Sequence, residues 1–240
     1  AVNPHPALKV TVPMNPMVDG WIGDDWFHNG AFRQQMMPYP YEIQGTRDGS
    51  VKWWTTHFDD YDLYMEAGSA GALGESRGLN QVGFWRKILA HPTYDAFWRD
   101  QAMDRVLANR PLEVPMMIVH SLWDAEDIYG APAVYAAIEP KDTNNDKVFL
   151  VIGPWSHGQM IENGSSLGAI RFPSDTSYYF RQEILRPFLA QYLLDTCEQI
   201  AVLRRVGVGD QQQESVPIGP RQFFGERLAI NDAGCHERPK

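Results

Sequence analysis

The stretch Val114–Gly130, VPMMIVHSLWDAEDIYG, constrains the fold more than any other part of the chain. Val114, Met116, Met117, Ile118 and Val119 form an apolar run without helical spacing and with a Pro near its start, which reads as a short buried strand. The run ends in a knot of acids, Asp124, Glu126 and Asp127. In open α/β sheets, ligands and reactive side chains gather beyond the carboxyl ends of the strands, so acids placed there can face a cleft. Val148–Ile152 repeats the arrangement and runs into GPWSHG, which puts His157 in a turn 33 residues after Asp124. A strand-end acid followed by a strand-end His has the order of the rear half of a Ser, Asp, His triad.

A chain of 240 residues with 44% hydrophobic and 12% aromatic content can bury a sizeable core. Its formal net charge of −9 argues against nucleic acid or an anionic membrane as a partner, because no basic stripe is present, and favours substrates that carry a cation. Cys197 and Cys235 form no CxxC and no zinc spacing, although one disulfide between them is allowed. No apolar stretch approaches the roughly 18 residues of a membrane span. No metal or cofactor motif is present.

Taken in order, Leu8–Met14 alternates as a strand and leads into the loop NPMVDGWIGDDWFHNG. This loop combines Gly20, Gly23 and Gly30 with Trp21, Trp26 and Phe27 and with Asp19, Asp24 and Asp25. Aromatics beside acids suit a group with an apolar body and a positive end, but they suit an anchored acidic surface turn equally well. From Trp53 to about Arg110 the strand signal disappears. HFDDYDLYMEAGSA, GFWRKILA and TYDAFWRDQAMDRVLA read as helices, the last with an apolar stripe of Tyr94, Phe97, Trp98, Ala102, Val106 and Leu107. So many helical residues between two strands predict a cap, at about 45–110, inserted over a sheet. GESRG, Gly74–Gly78, matches the letters G-x-S-x-G, yet helix and a Gly/Ala/Ser loop precede it rather than a strand, so Ser76 is read as part of a flexible cap loop. Pro132–Ile138 predicts a short helix closed by Pro140, and KDTNNDK a solvated loop. Thr176–Asp195 predicts a long amphipathic helix bent at Pro187. Residues 196–240 show no sustained period and are assigned to no domain.

Two readings of the acids stay open on the residues alone. Asp124, Glu126 and Asp127 could merely favour the N-terminus of the following helix, a gain of about 0.3–1 kcal/mol each. Alternatively they crowd a cleft together with Asp25, where two carboxylates about 4 Å apart repel by roughly 4 kcal/mol and call for a cation. His157 could likewise be a satisfied turn histidine or the base of a dyad with Asp124.

HPALKVTVPMNPMVDGWIGDDWFHNGAFRQ, HPTYDAFW, SLWDAEDIYG and GPWSHGQ resemble the bacterial α-amino acid ester hydrolases, relatives of the cocaine-esterase and X-prolyl dipeptidyl-peptidase group. The likeness runs from about Pro4 to Asp195. It implies a serine hydrolase that forms an acyl-enzyme from α-amino acid esters or amides and passes the acyl group to water or to an amine such as a β-lactam nucleus. The implied fold class is α/β: a partial α/β-hydrolase sheet in residues 1–195 with an inserted helical cap, the family's jelly roll being absent. By the same resemblance Asp124 and His157 are catalytic, Asp25, Glu126 and Asp127 grip the substrate's α-ammonium, and Met17, Trp26 and Tyr39 line the acyl pocket, with no metal. The family's nucleophile elbow lies upstream of the matching segment, so the chain is expected to start after its serine and to be inactive alone. The resemblance further implies a periplasmic or secreted location, and it allows a homo-oligomer of the full-length protein. An X-prolyl dipeptidyl-peptidase, a cocaine-esterase-like hydrolase and a non-catalytic module holding a cation such as Ca²⁺ are the alternatives.

Overall fold

The computed structural model describes residues 3–194. These divide into two compact units, one of residues 3–4 and Thr11–His157, the other of His5–Val10 and residues 158–194. The expected catalytic span 1–195 is therefore partitioned after His157.

The first unit begins with a parallel edge segment. Thr11 N–H donates to the Pro115 carbonyl at 2.9 Å and Asn15 N–H to the Val119 carbonyl at 2.9 Å, while the Thr11 and Pro13 carbonyls accept from Met117 and Val119. Pro13 has no N–H to contribute, so pairing is reduced to two bridges, Thr11 with Met116 and Met14 with Val119. The strand expected over Leu8–Met14 is thus shortened to its second half.

A two-residue hairpin follows, with β1 (Phe27–His28) and β2 (Ala31–Phe32) joined by Asn29 and Gly30, both at positive φ (49° and 87°). Asn-Gly is the pair that a type I′ turn favours, because both central residues must adopt left-handed backbone.

The helical insertion contains α1 (Pro38–Gln44), α2 (Asp60–Ala67), α3 (Ala70–Ser76), α4 (Gly83–Ala90), α5 (Ala96–Arg99) and α6 (Met103–Ala108). Asp59 starts α2 by accepting the Tyr61 and Asp62 N–H groups, and Ser69 starts α3 by accepting from Ala72. These helices surround an aromatic core that includes Trp26, Phe27, Leu73, Trp85 and Trp98.

Two expectations need correction here. GESRG is not a flexible loop: Ser76 closes α3, and its hydroxyl donates to the Leu73 carbonyl at 2.8 Å. The single helix expected over residues 93–108 is two helices, parted by Ala102 in extended conformation (φ −61°, ψ 114°). The break lets one apolar stripe serve two cores. Trp98 enters the aromatic cluster, whereas Met103 and Leu107 pack on the cluster beside the sheet, and the Met103 N–H donates to the Val18 carbonyl.

The sheet then continues with β3 (Met116–Ser121), α7 (Gly130–Ile138) and β4 (Val148–Gly153), β4 pairing parallel with β3. Every residue of β3 is buried, as a strand in the middle of a parallel sheet requires. Met116 and Ile118 face Ala131, Val134 and Ile138 of α7. Burying a side chain such as Ile118 stabilises by about 1.5–3 kcal/mol. The loop after α7 is not wholly solvated, because Asp142 is buried and its carboxylate accepts N–H bonds from Asp146, Lys147 and Val148 that lead the chain into β4.

In the second unit, a hairpin of Ser166–Leu167 and Ile170–Arg171 precedes a continuous helical run. Thr176–Tyr179 is α-helical, Phe180–Leu185 is a wider π-turn, and Arg186–Leu193 is α-helical again. The bend expected at Pro187 is expressed as this wider turn just upstream, which accommodates a residue without an N–H. Among the described residues no helix is long and apolar enough to cross a membrane. Asp195, the 196–240 tail and both cysteines lie outside the described residues.

Candidate active site

The site is assembled by a residue at its back. Asp24 is fully buried, and its carboxylate accepts four backbone N–H bonds from two distant loops. Oδ2 takes Val18 and Asp19, both at 2.9 Å, and Oδ1 takes Tyr129 at 3.1 Å and Gly130 at 2.9 Å. Burial pushes its carboxyl up to about 6, against the pull of those four donors. Asp24 and Asp127 also pair as an antiparallel bridge, and Asp25 N–H donates to the Glu126 carbonyl at 3.1 Å. The approach demands glycine at the first residue of α7, since a Cβ on Gly130 would fall on the Pro16 carbonyl oxygen.

Asp25 adopts left-handed backbone (φ 42°), a region that Asp tolerates better than most residues. Behind it, Arg33 is buried and its Nη1 donates to the carbonyls of Asp25 (2.9 Å) and Glu126 (3.4 Å). One guanidinium thus ties both acidic loops from the protein side.

At the end of β3 the chain turns through a second carboxylate. Asp124 Oδ1 accepts N–H bonds from Glu126 (2.8 Å) and Asp127 (3.0 Å), and both carboxylate oxygens face His157 Nδ1, Oδ2 at 3.0 Å and Oδ1 at 3.2 Å. An ionised carboxylate only accepts, so the bond places the proton on Nδ1 and leaves Nε2 with a free lone pair. Asp124 is buried, whereas 40% of the His157 side chain is exposed. Asn15, also at positive φ, fixes the end of β3 by exchanging two bonds with Ser121.

The acids crowd one another. Burial first, then the charges of Asp25, Asp24, Asp124 and Glu126, push the Asp127 carboxyl up to about 8. Asp25 is raised as well, by burial and then by Glu126, with Arg33 and His157 pulling the other way. Asp127 Oδ1 is buried and has no hydrogen-bond partner, and Oδ2 lies 3.7 Å from His157 Nδ1. Although no metal was expected, Asp124, Asp127 and His157 offer ligand atoms all within 4.8 Å of one another.

Of the residues singled out in the sequence, Asp25, Glu126, Asp127, Asp124 and His157 are brought together. Trp26 and Tyr39 also meet, edge to face with ring centroids 6.1 Å apart, Trp26 buried in the aromatic core and Tyr39 half exposed. Met17 is exposed in the same loop, next to the Val18 N–H that Asp24 holds. Sequence reasoning missed the separate tasks of Asp24 and Arg33. Asp24 stood beside Asp25 with nothing to tell them apart, and Arg33 carried no signal.

Residues 1–159 match the family described as X-Pro dipeptidyl-peptidase (S15 family). Among solved structures, an aminopeptidase from a marine sediment archaeon (Thaumarchaeota archaeon) is 53% identical, with a TM-score of 0.78. An α-amino acid ester hydrolase is 49% identical, also with a TM-score of 0.78. Each alignment covers 80% of this chain and 31% of the other, so the chain spans less than a third of the length of those structures. No curated protein matches.

Proposed function

We propose a function from one premise: the chain belongs to the X-Pro dipeptidyl-peptidase (S15) family, with a partial α/β-hydrolase fold. In this reading it supplies the acid–base half and the substrate anchor of a serine hydrolase that acts on α-amino acid esters and amides. The observation that carries the reading is the splice made by Asp24, which sets Asp25 against Glu126 and Asp127 beside the Asp124–His157 pair.

The chemistry follows from charge and proton position. A substrate ammonium entering the acidic cluster relieves the repulsion among Asp25, Glu126 and Asp127, so the anchor selects for a free α-amino group. His157 Nε2 takes the proton of an attacking hydroxyl, Asp124 stabilises the imidazolium through Nδ1–H, and the same proton then passes to the leaving alcohol or amine. Water, or an amine such as a β-lactam nucleus, completes the cycle by accepting the acyl group. Trp26 and Tyr39 give the acyl side chain an aromatic wall.

A second reading, an aminopeptidase or X-Pro dipeptidyl-peptidase, is favoured by the same cluster, because a peptide N-terminus carries the same charge. The two readings share one test. In a polypeptide that also carries a serine elbow, an α-amino acid methyl ester is expected to turn over at least about tenfold faster than its des-amino analogue. Equal turnover would remove the ammonium anchor from both. An X-Pro dipeptide anilide cleaved in preference to the ester would select the peptidase.

A further inference from the structure

We propose that His157, Asp124 and Asp127 form a binding site for a divalent transition metal of the zinc type, and that its occupation switches the dyad off. Binding rests on geometry alone, whereas the inhibition rests on the reading of His157 as general base. A tetrahedral ion with bonds of about 2.0–2.1 Å holds its ligand atoms about 3.3 Å apart. His157 Nδ1 lies 3.0 Å from Asp124 Oδ2 and 3.7 Å from Asp127 Oδ2, spacings that bracket this value.

An independent observation points to a cation. Asp127 is only 4% exposed, yet its Oδ1 has no hydrogen-bond partner, a costly state for a buried carboxyl group that a cation would relieve by taking the place of its proton. Two carboxylates balance a dication. The imidazole nitrogen selects Zn²⁺ and its neighbours over Ca²⁺ or Mg²⁺, which prefer oxygen alone. The two N–H bonds from Glu126 and Asp127 hold Asp124 in place as an outer shell does for a metal ligand.

Inhibition follows from the tautomer. The metal takes the Nδ1 lone pair, and the ring, which stays neutral, carries its proton on Nε2 instead of Nδ1. Nε2–H cannot accept a proton from a nucleophile.

The test titrates the 240-residue chain with ZnCl₂, using calorimetry together with ¹H–¹⁵N correlation of the histidine rings. One ion per chain is expected, with His157 Nδ1 moving to a metal-bound position and Nε2 protonated. CaCl₂ should leave the ring unchanged, H157Q should abolish this site, and D127N should weaken it by more than about tenfold. A His157 ring unmoved at saturating Zn²⁺ would overturn the proposal without needing any variant. So would an affinity that neither substitution alters, since the ion would then sit on other histidines. Because the readout is a ring nitrogen and not turnover, failure here leaves the ammonium anchor standing, and failure of the des-amino comparison leaves the metal site standing.

Discussion

Asp24 and Asp127 are neighbouring buried acids with opposite satisfaction, and substitution should separate them. Asp24→Ala strips the partner from four backbone N–H groups and is expected to cost about 3 kcal/mol or more in urea unfolding. Asp127→Asn should do the reverse in alkaline solution. The folded carboxyl holds its proton up to about pH 8, whereas the unfolded one loses it near about pH 4. Between those values the native state binds the extra proton, so stability falls as pH rises through the interval. The Asn variant lacks this slope and should be more stable than the parent at pH 8 by about 1–3 kcal/mol, read from paired melts at pH 5 and pH 8. At this scale the sequence was half legible. Asp124 and His157 announced themselves by following apolar strands, but the identity of the clip was hidden because its partners are main-chain groups, which every residue possesses.

Among the elements, apolar runs with turn residues at their ends located β3, β4, α4 and α7, and β3 most plainly, since burial of all its residues leaves little choice of residue type. The helix expected over residues 93–108 failed for a physical reason visible only in three dimensions. The apolar period continues unbroken across Ala102, but Trp98 and Leu107 belong to different cores, and the chain straightens between them. The Asn29-Gly30 pair was a turn signal that the surrounding acids and tryptophans obscured. Two outcomes test the elements. Gly130→Ala should destabilise by about 3 kcal/mol, because its methyl group meets the Pro16 carbonyl and Val18 at the start of α7. Ser76, whose hydroxyl is engaged at the end of α3, should remain unlabelled by a fluorophosphonate as judged by peptide mass spectrometry.

At the scale of the molecule, the excess of acids shapes what approaches. With a net charge of −9, binding of an α-amino ester to the chain should weaken steadily between low and high salt, whereas binding of the des-amino analogue should stay nearly flat, a contrast measurable by calorimetry. The fold class came with the family resemblance, but the partition after His157 could not be read, because no change of composition marks it. The frame of the pocket is held by main-chain groups gathered on Asp24, Asp124 and Arg33, so the side chains of Asp25, Glu126 and Asp127 carry no part of it, and position 25 asks only for a residue that tolerates left-handed backbone. A protein engineer could therefore rewrite the proposed recognition surface, exchanging acids for neutral or basic groups to welcome different guests, while the scaffold beneath stays as it is.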